Sequence, residues 1–115
     1  MDSAIVFTYS RAFPGREATA FESFQDALTL FGKFAAEDRC LEPEVFTGPF
    51  AKGLMVIKGE REKLLGIIET EEFQHMYLKA GWSVPDIGYE LFFFGDSVMD
   101  LMGAWNAVGK ELEYV

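Results

Sequence analysis

Glu90 is the side chain of this sequence best suited to do chemistry. It stands in an aromatic and apolar run, Tyr89-Glu90-Leu91-Phe92-Phe93-Phe94. A carboxylate in such surroundings is desolvated, which raises its pKa. It could then take a proton from an acidic C–H or O–H of a bound aromatic molecule. The same carboxylate could instead close an ion pair with Lys58, because structural pairs perturb carboxylates too. His75 is the single histidine and by type a general base or metal ligand. Its spacing argues for a solvated surface residue: a two-residue helical step turns about 200°, so His75 points away from Phe73, Met76, Tyr77 and Ala80. With one His and one Cys there is no zinc ligand set, and no carboxylate spacing marks a hard-cation site. Tyr9, Arg11 and Arg16 gather after the first apolar run. An arginine there could grip a carboxylate or phenolate with two hydrogen bonds or pair with a surface acid. Trp82 and Tyr89 flank a loop and could form a lid or simply bury it. Cys40 has no base nearby, and no phosphate-binding glycine loop is visible.

These residues are positioned by elements that the pattern of apolar residues predicts. Ala4–Tyr9 is β-branched and aromatic and reads as a strand. After Pro14-Gly15, the residues Ala18, Phe21, Phe24, Leu28, Phe31 and Ala35 recur at three- and four-residue steps, predicting a helix over 16–37. Val45–Thr47 is a short strand, placed at a sheet edge by Pro43. Gly48 to Gly53 is a hairpin connection leading to a strand over Leu54–Lys58. A second helix starts near Glu60 or Arg61, breaks, and restarts at Thr70, whose hydroxyl with Glu71 and Glu72 makes a good N-terminal cap. It runs to about Lys79, where Gly81 can cap it. Ile87–Phe94 is the fourth strand. Asp96 or Ser97 caps a last helix carrying Val98, Leu101, Met102, Trp105, Val108 and Leu112 on one stripe. The predicted fold class is α+β: one ferredoxin-like β-α-β-β-α-β domain over residues 1–115 with an extra C-terminal helix.

A sheet with one wet face alternates apolar and polar residues. Leu54–Ile57 and Leu91–Phe94 do not alternate. Two helices can cover one face; the other needs a partner, and a two-fold homodimer packed sheet to sheet supplies one. Ile5, Phe7, Tyr9, Met55, Ile57, Leu91 and Phe93 form the wholly apolar set expected under the helices. Ala4, Val6, Thr8, Leu54, Val56, Lys58, Glu90, Phe92 and Phe94 form a mixed set expected toward the partner sheet.

In element order the chain resembles the dimeric α+β barrel superfamily, which includes antibiotic-biosynthesis monooxygenases, haem-degrading monooxygenases and muconolactone isomerases. Glu69-Thr70-Glu71-Glu72-Phe73 is similar to the segment these families place before a pocket-lining histidine. Pro14-Gly15-Arg16-Glu17 and Gly53-Leu54-Met55-Val56-Ile57-Lys58-Gly59 resemble small bacterial members. Two departures count against haem degradation: Met76 and Tyr77 stand where the monooxygenases carry His, and the first strand lacks their Asn. The resemblance implies a dimer that binds a small apolar or aromatic molecule in the cavity between sheet and helices. From the mixed face and the loop, Val6, Thr8, Val56, Lys58, Phe92 and Trp82 are the expected binding residues and Glu90 the expected catalytic one. The alternatives are a cofactor-independent monooxygenase or isomerase, and a structural dimer without ligand. Nothing calls for a flavin, haem or metal.

The bulk properties set the remaining bounds. Net charge is −9, from 19 acidic and 10 basic residues, which disfavours nucleic acid and anionic membranes as partners. Half the residues are apolar, with 12 Phe, enough for a real core. No apolar run is long enough for a membrane span. The start Met1-Asp2-Ser3 lacks the features of a signal peptide, so a cytoplasmic location is expected.

Overall fold

The computed structural model describes residues 2–114. The element order is β1 (Ser3–Tyr9), α1 (Glu17–Ala36), β2 (Glu44–Thr47), a 3-10 turn (Pro49–Ala51), β3 (Gly53–Gly59), α2 (Arg61–Ile68), α3 (Glu71–Gly81), β4 (Gly88–Phe93) and α4 (Asp96–Glu111). The four strands form one sheet in the order β2-β3-β1-β4, with every neighbouring pair antiparallel. β2 is an edge strand, as Pro43 implies. In register, Val6 lies between Val56 on β3 and Glu90 on β4, and Ala4 lies between Lys58 and Phe92.

The two faces sort as their residue types predict. Ile5, Phe7, Met55 and Ile57 are buried against α1, α2 and α3. Their core is a cluster of rings: Phe7 stands 5.7 Å from Phe31 and 5.9 Å from Phe73, and Phe73 meets Tyr89 edge-on at 5.1 Å. Edge-to-face pairs of this kind add to the area they bury. Phe93, expected under the helices, is at the rim instead. It lies partly open to solvent, with the Arg61 guanidinium 5.0 Å above its ring.

Three local expectations need correction. The buried stripe of α1 is Ser23, Ala27, Phe31 and Phe34; Ala18 and Phe21 are exposed. Large apolar residues at 21 and 24 suggested one phase, but the small ones at 20, 23 and 27 set the other. Gly81 is the last residue of α3 and Trp82 follows as its C-cap. At the start of α4 the cap position is Gly95, with φ +65°, which a glycine adopts without strain. Ser97 donates to the Phe94 carbonyl at 2.8 Å instead. The break before α3 falls where expected: Thr70 Oγ1 accepts from the Phe73 amide at 3.1 Å and donates to Ile67 O at 2.7 Å.

α4 stands apart. None of its residues is buried, although Leu101, Met102, Trp105 and Val108 share one stripe. The radius of gyration is 16.6 Å, against about 13 Å for a compact chain of this length. The longest dimension is 53 Å against 33 and 24 Å for the others. An amphipathic helix of 16 residues thus leaves its apolar side unpacked within one chain.

Candidate functional site

Between the inner face of the sheet and the helix pair α1/α3 lies a cavity of about 190 Å³. Its floor is Phe7, Tyr9 and Met55, and its roof is Ala20, Ser23, Phe24 and Ala27 of α1 with Met76 and Ala80 of α3. Ala20, Ser23, Phe24 and Ala27 follow helical three- and four-residue steps, as do Met76 and Ala80, so each set shares a face. Three of the four α1 positions hold Ala or Ser. The space exists because these side chains are short where Phe31 and Phe34, further along the helix, fill the core. Salt bridges on the outside hold the roof together: Lys79 reaches Glu22 and Asp26, both at 3.0 Å, and Lys33 reaches Glu72 at 2.6 Å.

One end of the cavity is bordered by loops at one end of the sheet, through Ser10, Ala12, Ala51, Val84 and Ile87. Two cross-ties fix these loops. The Ser10 amide donates to Asp86 Oδ1 at 3.0 Å, and its hydroxyl donates to Asp86 Oδ2. That hydroxyl bond holds the Asp86 carboxyl below its usual range. The Arg16 guanidinium donates to the Trp82 carbonyl, and the Phe13 amide to the Ser83 carbonyl at 2.8 Å.

The lining is apolar, with two hydroxyls of note. Burial pushes the Tyr9 hydroxyl above its usual pKa, so it remains a neutral donor at pH 7. Its ring lies across Gly53, where an added Cβ would come within 2.5 Å of the ring and 2.9 Å of the hydroxyl oxygen. A side chain at position 53 would therefore have to push the Tyr9 ring aside. The second hydroxyl, Ser23 Oγ, is buried without a hydrogen-bond partner among the described residues. Among the described lining side chains Tyr9 is the one titratable group.

The expected site residues lie elsewhere. Val6, Thr8, Val56, Lys58, Phe92 and Glu90 do share one face, but it is the face turned away from the helices, and none of them lines the cavity. Side chains alternate along a strand, so a mixed-face residue cannot line a space between sheet and helices. Glu90 is exposed opposite Val6. Lys58 pairs with Glu44 at 3.2 Å and lies 5.5 Å from the Phe94 ring, so the expected Glu90–Lys58 pair is replaced by a bond between adjacent strands. Trp82 is 75% exposed and borders a surface cleft with Phe13, Arg16 and Leu78, apart from the other six. Arg16 is occupied by the Trp82 carbonyl and the Phe13 ring, 5.1 Å from its guanidinium carbon. His75 is exposed on the side of α3 opposite the buried Phe73 and Ala80, as its phase predicts. Cys40 is buried, and desolvation pushes its thiol up to about 11, which leaves it unreactive. No group of three or more potential metal ligands occurs among the described residues.

No family model and no curated protein sequence matches the chain. Solved structures do. A conserved protein from Methanosarcina mazei Go1 superposes with TM-score 0.62 at 12% identity, covering 83% of this chain and 95% of its own. An antibiotic biosynthesis monooxygenase gives 0.59 at 12%, covering 81% and 96%. A dimeric protein of unknown function and ferredoxin-like fold from Bacteroides fragilis gives 0.55 at 7%, covering 80% and 96%. The fold is ferredoxin-like. At these identities the likeness is one of fold.

The cavity residues Ala20, Ser23, Ala27 and Ala80 escaped the sequence reading. Small residues on a core-facing stripe give no hydrophobic peak. The usable signal was their recurrence at 20, 23 and 27, one side of a helix whose other core positions are Phe.

Proposed function

We propose that this protein binds a small apolar or aromatic molecule in the cavity between the sheet and the α1/α3 pair. The observation that carries the reading is an unfilled apolar volume inside an otherwise ring-packed core. An apolar cavity of about 150 Å³ is enough to take up benzene, and this one is somewhat larger. Its lining offers hydroxyls and no charge at neutral pH, which favours binding over acid–base catalysis on the ligand. If Glu90 transfers protons, it does so to a molecule held against the opposite face. The monooxygenase and isomerase readings stay secondary because no charged side chain lines the cavity.

The working form we propose is a two-fold dimer. Supporting this are the uncovered outer face, with Phe46, Leu54 and Phe92 exposed, and the unpacked stripe of α4. An exposed apolar surface of this extent marks an interaction site, and the outer face continues into α4 through Phe94.

An NMR titration with indane tests the binding site. The amides of Phe7, Met76 and Ala80 should shift, and Ala27→Leu should abolish the shifts while the protein stays folded, because the added side chain occupies the void. Shifts confined to Val56 and Phe92 would place the ligand between two sheets instead.

A further inference from the structure

The turn that joins β2 to β3 stands at the loop end of the cavity and is built from unsuitable residues for its shape. Phe50 and Ala51 have φ +60° and +65°, the two successive left-handed residues that mark a type I′ hairpin turn. Such a turn favours Asn-Gly. The left-handed backbone is disfavoured about 5- to 30-fold for each residue that carries a Cβ. The Phe50 ring offsets little of this by packing, since it is 78% exposed. Two hydrogen bonds close the turn: the Gly48 amide donates to the Lys52 carbonyl at 2.8 Å, and the Lys52 amide to the Pro49 carbonyl at a long 3.5 Å. The same residues encode an alternative. Proline favours the second position of a type I turn, and Gly48-Pro49-Phe50-Ala51 puts Pro49 there. In that turn Pro49 and Phe50 both have negative φ, and Ala51 is released from the left-handed region. The local sequence thus favours a shape other than the one adopted.

The position of the turn gives the second shape a use. Ala51 lines the cavity and is exposed, and Ser10, Ala12 and Ile87 at the same end are half-buried. This end of the cavity meets solvent, so an apolar ligand would keep one edge in water. Phe50 adjoins Ala51, with about 3.8 Å between their Cα atoms, which brings its ring within reach of the opening. We propose that Phe50 completes the binding site. When the cavity is filled, the turn over 48–52 leaves its left-handed shape and lays the Phe50 ring across the open end, burying ring and ligand edge together. Closing relieves the backbone strain, so the free turn is poised to move. This inference rests on the cavity-binding reading above and adds the residue that closes the site.

The test measures melting temperature, and indane affinity by calorimetric titration, for the wild type, Ala51→Gly and Phe50→Ala. Glycine adopts φ +65° freely, so Ala51→Gly stabilises the open turn relative to the closed one. That variant should melt at a higher temperature and bind indane more weakly, by up to about 30-fold. Phe50→Ala keeps the turn and removes an exposed ring; it should melt as the wild type does and bind indane several-fold more weakly. Wild-type affinity in both variants overturns the closing turn and leaves the cavity reading standing. A loss in only one of them overturns it too, since ring and turn must act together. A lower melting temperature in Ala51→Gly would show that the left-handed turn carries no strain, which removes the reason for it to move. A wild type that does not bind indane overturns the cavity reading, and this inference with it.

Discussion

The two faces of the sheet are built from similar residues and meet different fates. On the inner face Ile5, Phe7, Met55 and Ile57 vanish into a cluster of rings. On the outer face Val6 and Val56 are half-buried, while Thr8, Leu54, Phe92 and Glu90 are open to solvent. Apolarity alone does not separate them. What separates them is that this chain's own α1, α2 and α3 cover one face, while no helix among the described residues covers the other. The inner face specifies the fold of the chain; the outer face is the surface on which the proposed dimer would form.

That contrast predicts two kinds of mutational damage. The larger is expected from Phe73→Ala, which removes the ring that contacts Phe7, Phe31, Tyr77 and Tyr89. Truncating a buried Phe costs about 3–5 kcal/mol. Urea unfolding should show that loss equally at every protein concentration. A loss under about 1 kcal/mol would mean that the ring cluster is not the centre of the core.

On the outer face, Val56→Lys should act through assembly. A lysine at the centre of that face, between Val6 and Glu44, would be buried in a sheet-to-sheet dimer, and the carboxylate opposite it, Glu44, is already paired with Lys58. The expected result in sedimentation is at least a tenfold weaker dimer, with the far-ultraviolet spectrum of the remaining monomer intact. Trp105→Ala on α4 should weaken the dimer in the same direction. A wild type that sediments as a monomer at micromolar concentration would remove the contrast between the faces altogether.

How much of this was legible in the sequence depended on the size of the side chains. Element order, the edge position of β2, the restart at Thr70 and the surface position of His75 all follow from large apolar residues and capping groups, whose signals are strong. The sorting of β1 and β3 into two faces followed from strict alternation; Ala4 of β1, buried although it belongs to the mixed set, and Phe93 of β4, at the rim, depart from it. The candidate site did not follow, because it is made of absences: Ala20, Ser23, Ala27 and Ala80 matter for the volume they leave empty. Glu90 and Lys58 stand out in the sequence instead, because a charge within an apolar run is conspicuous. The register explains why that charge is unremarkable in one chain: Lys58 is within reach of Glu44 on the neighbouring strand, and Glu90 lies on an open surface.

The smallest expected effect concerns the loops at the cavity's end, where the inner face gives way to solvent. Asp86 joins the end of β1 to the loop before β4 through both the amide and the hydroxyl of Ser10. The Ser10 hydroxyl is the main cause of its lowered pKa. A carboxyl whose folded pKa lies below its unfolded value of 3.8 adds stability that is complete above that value and is lost as pH falls through the folded one. The group is almost fully exposed, so the contribution is below about 1 kcal/mol. Ser10→Ala should therefore destabilise the protein slightly at neutral pH, and the difference from the wild type should shrink as the pH is lowered below 3.8. Carbonyl-carbon NMR titration of Asp86 provides the direct check: the Ser10→Ala variant should titrate at higher pH than the wild type. A gap between the two proteins that persisted in strong acid would assign the effect of Ser10 to something other than this bond.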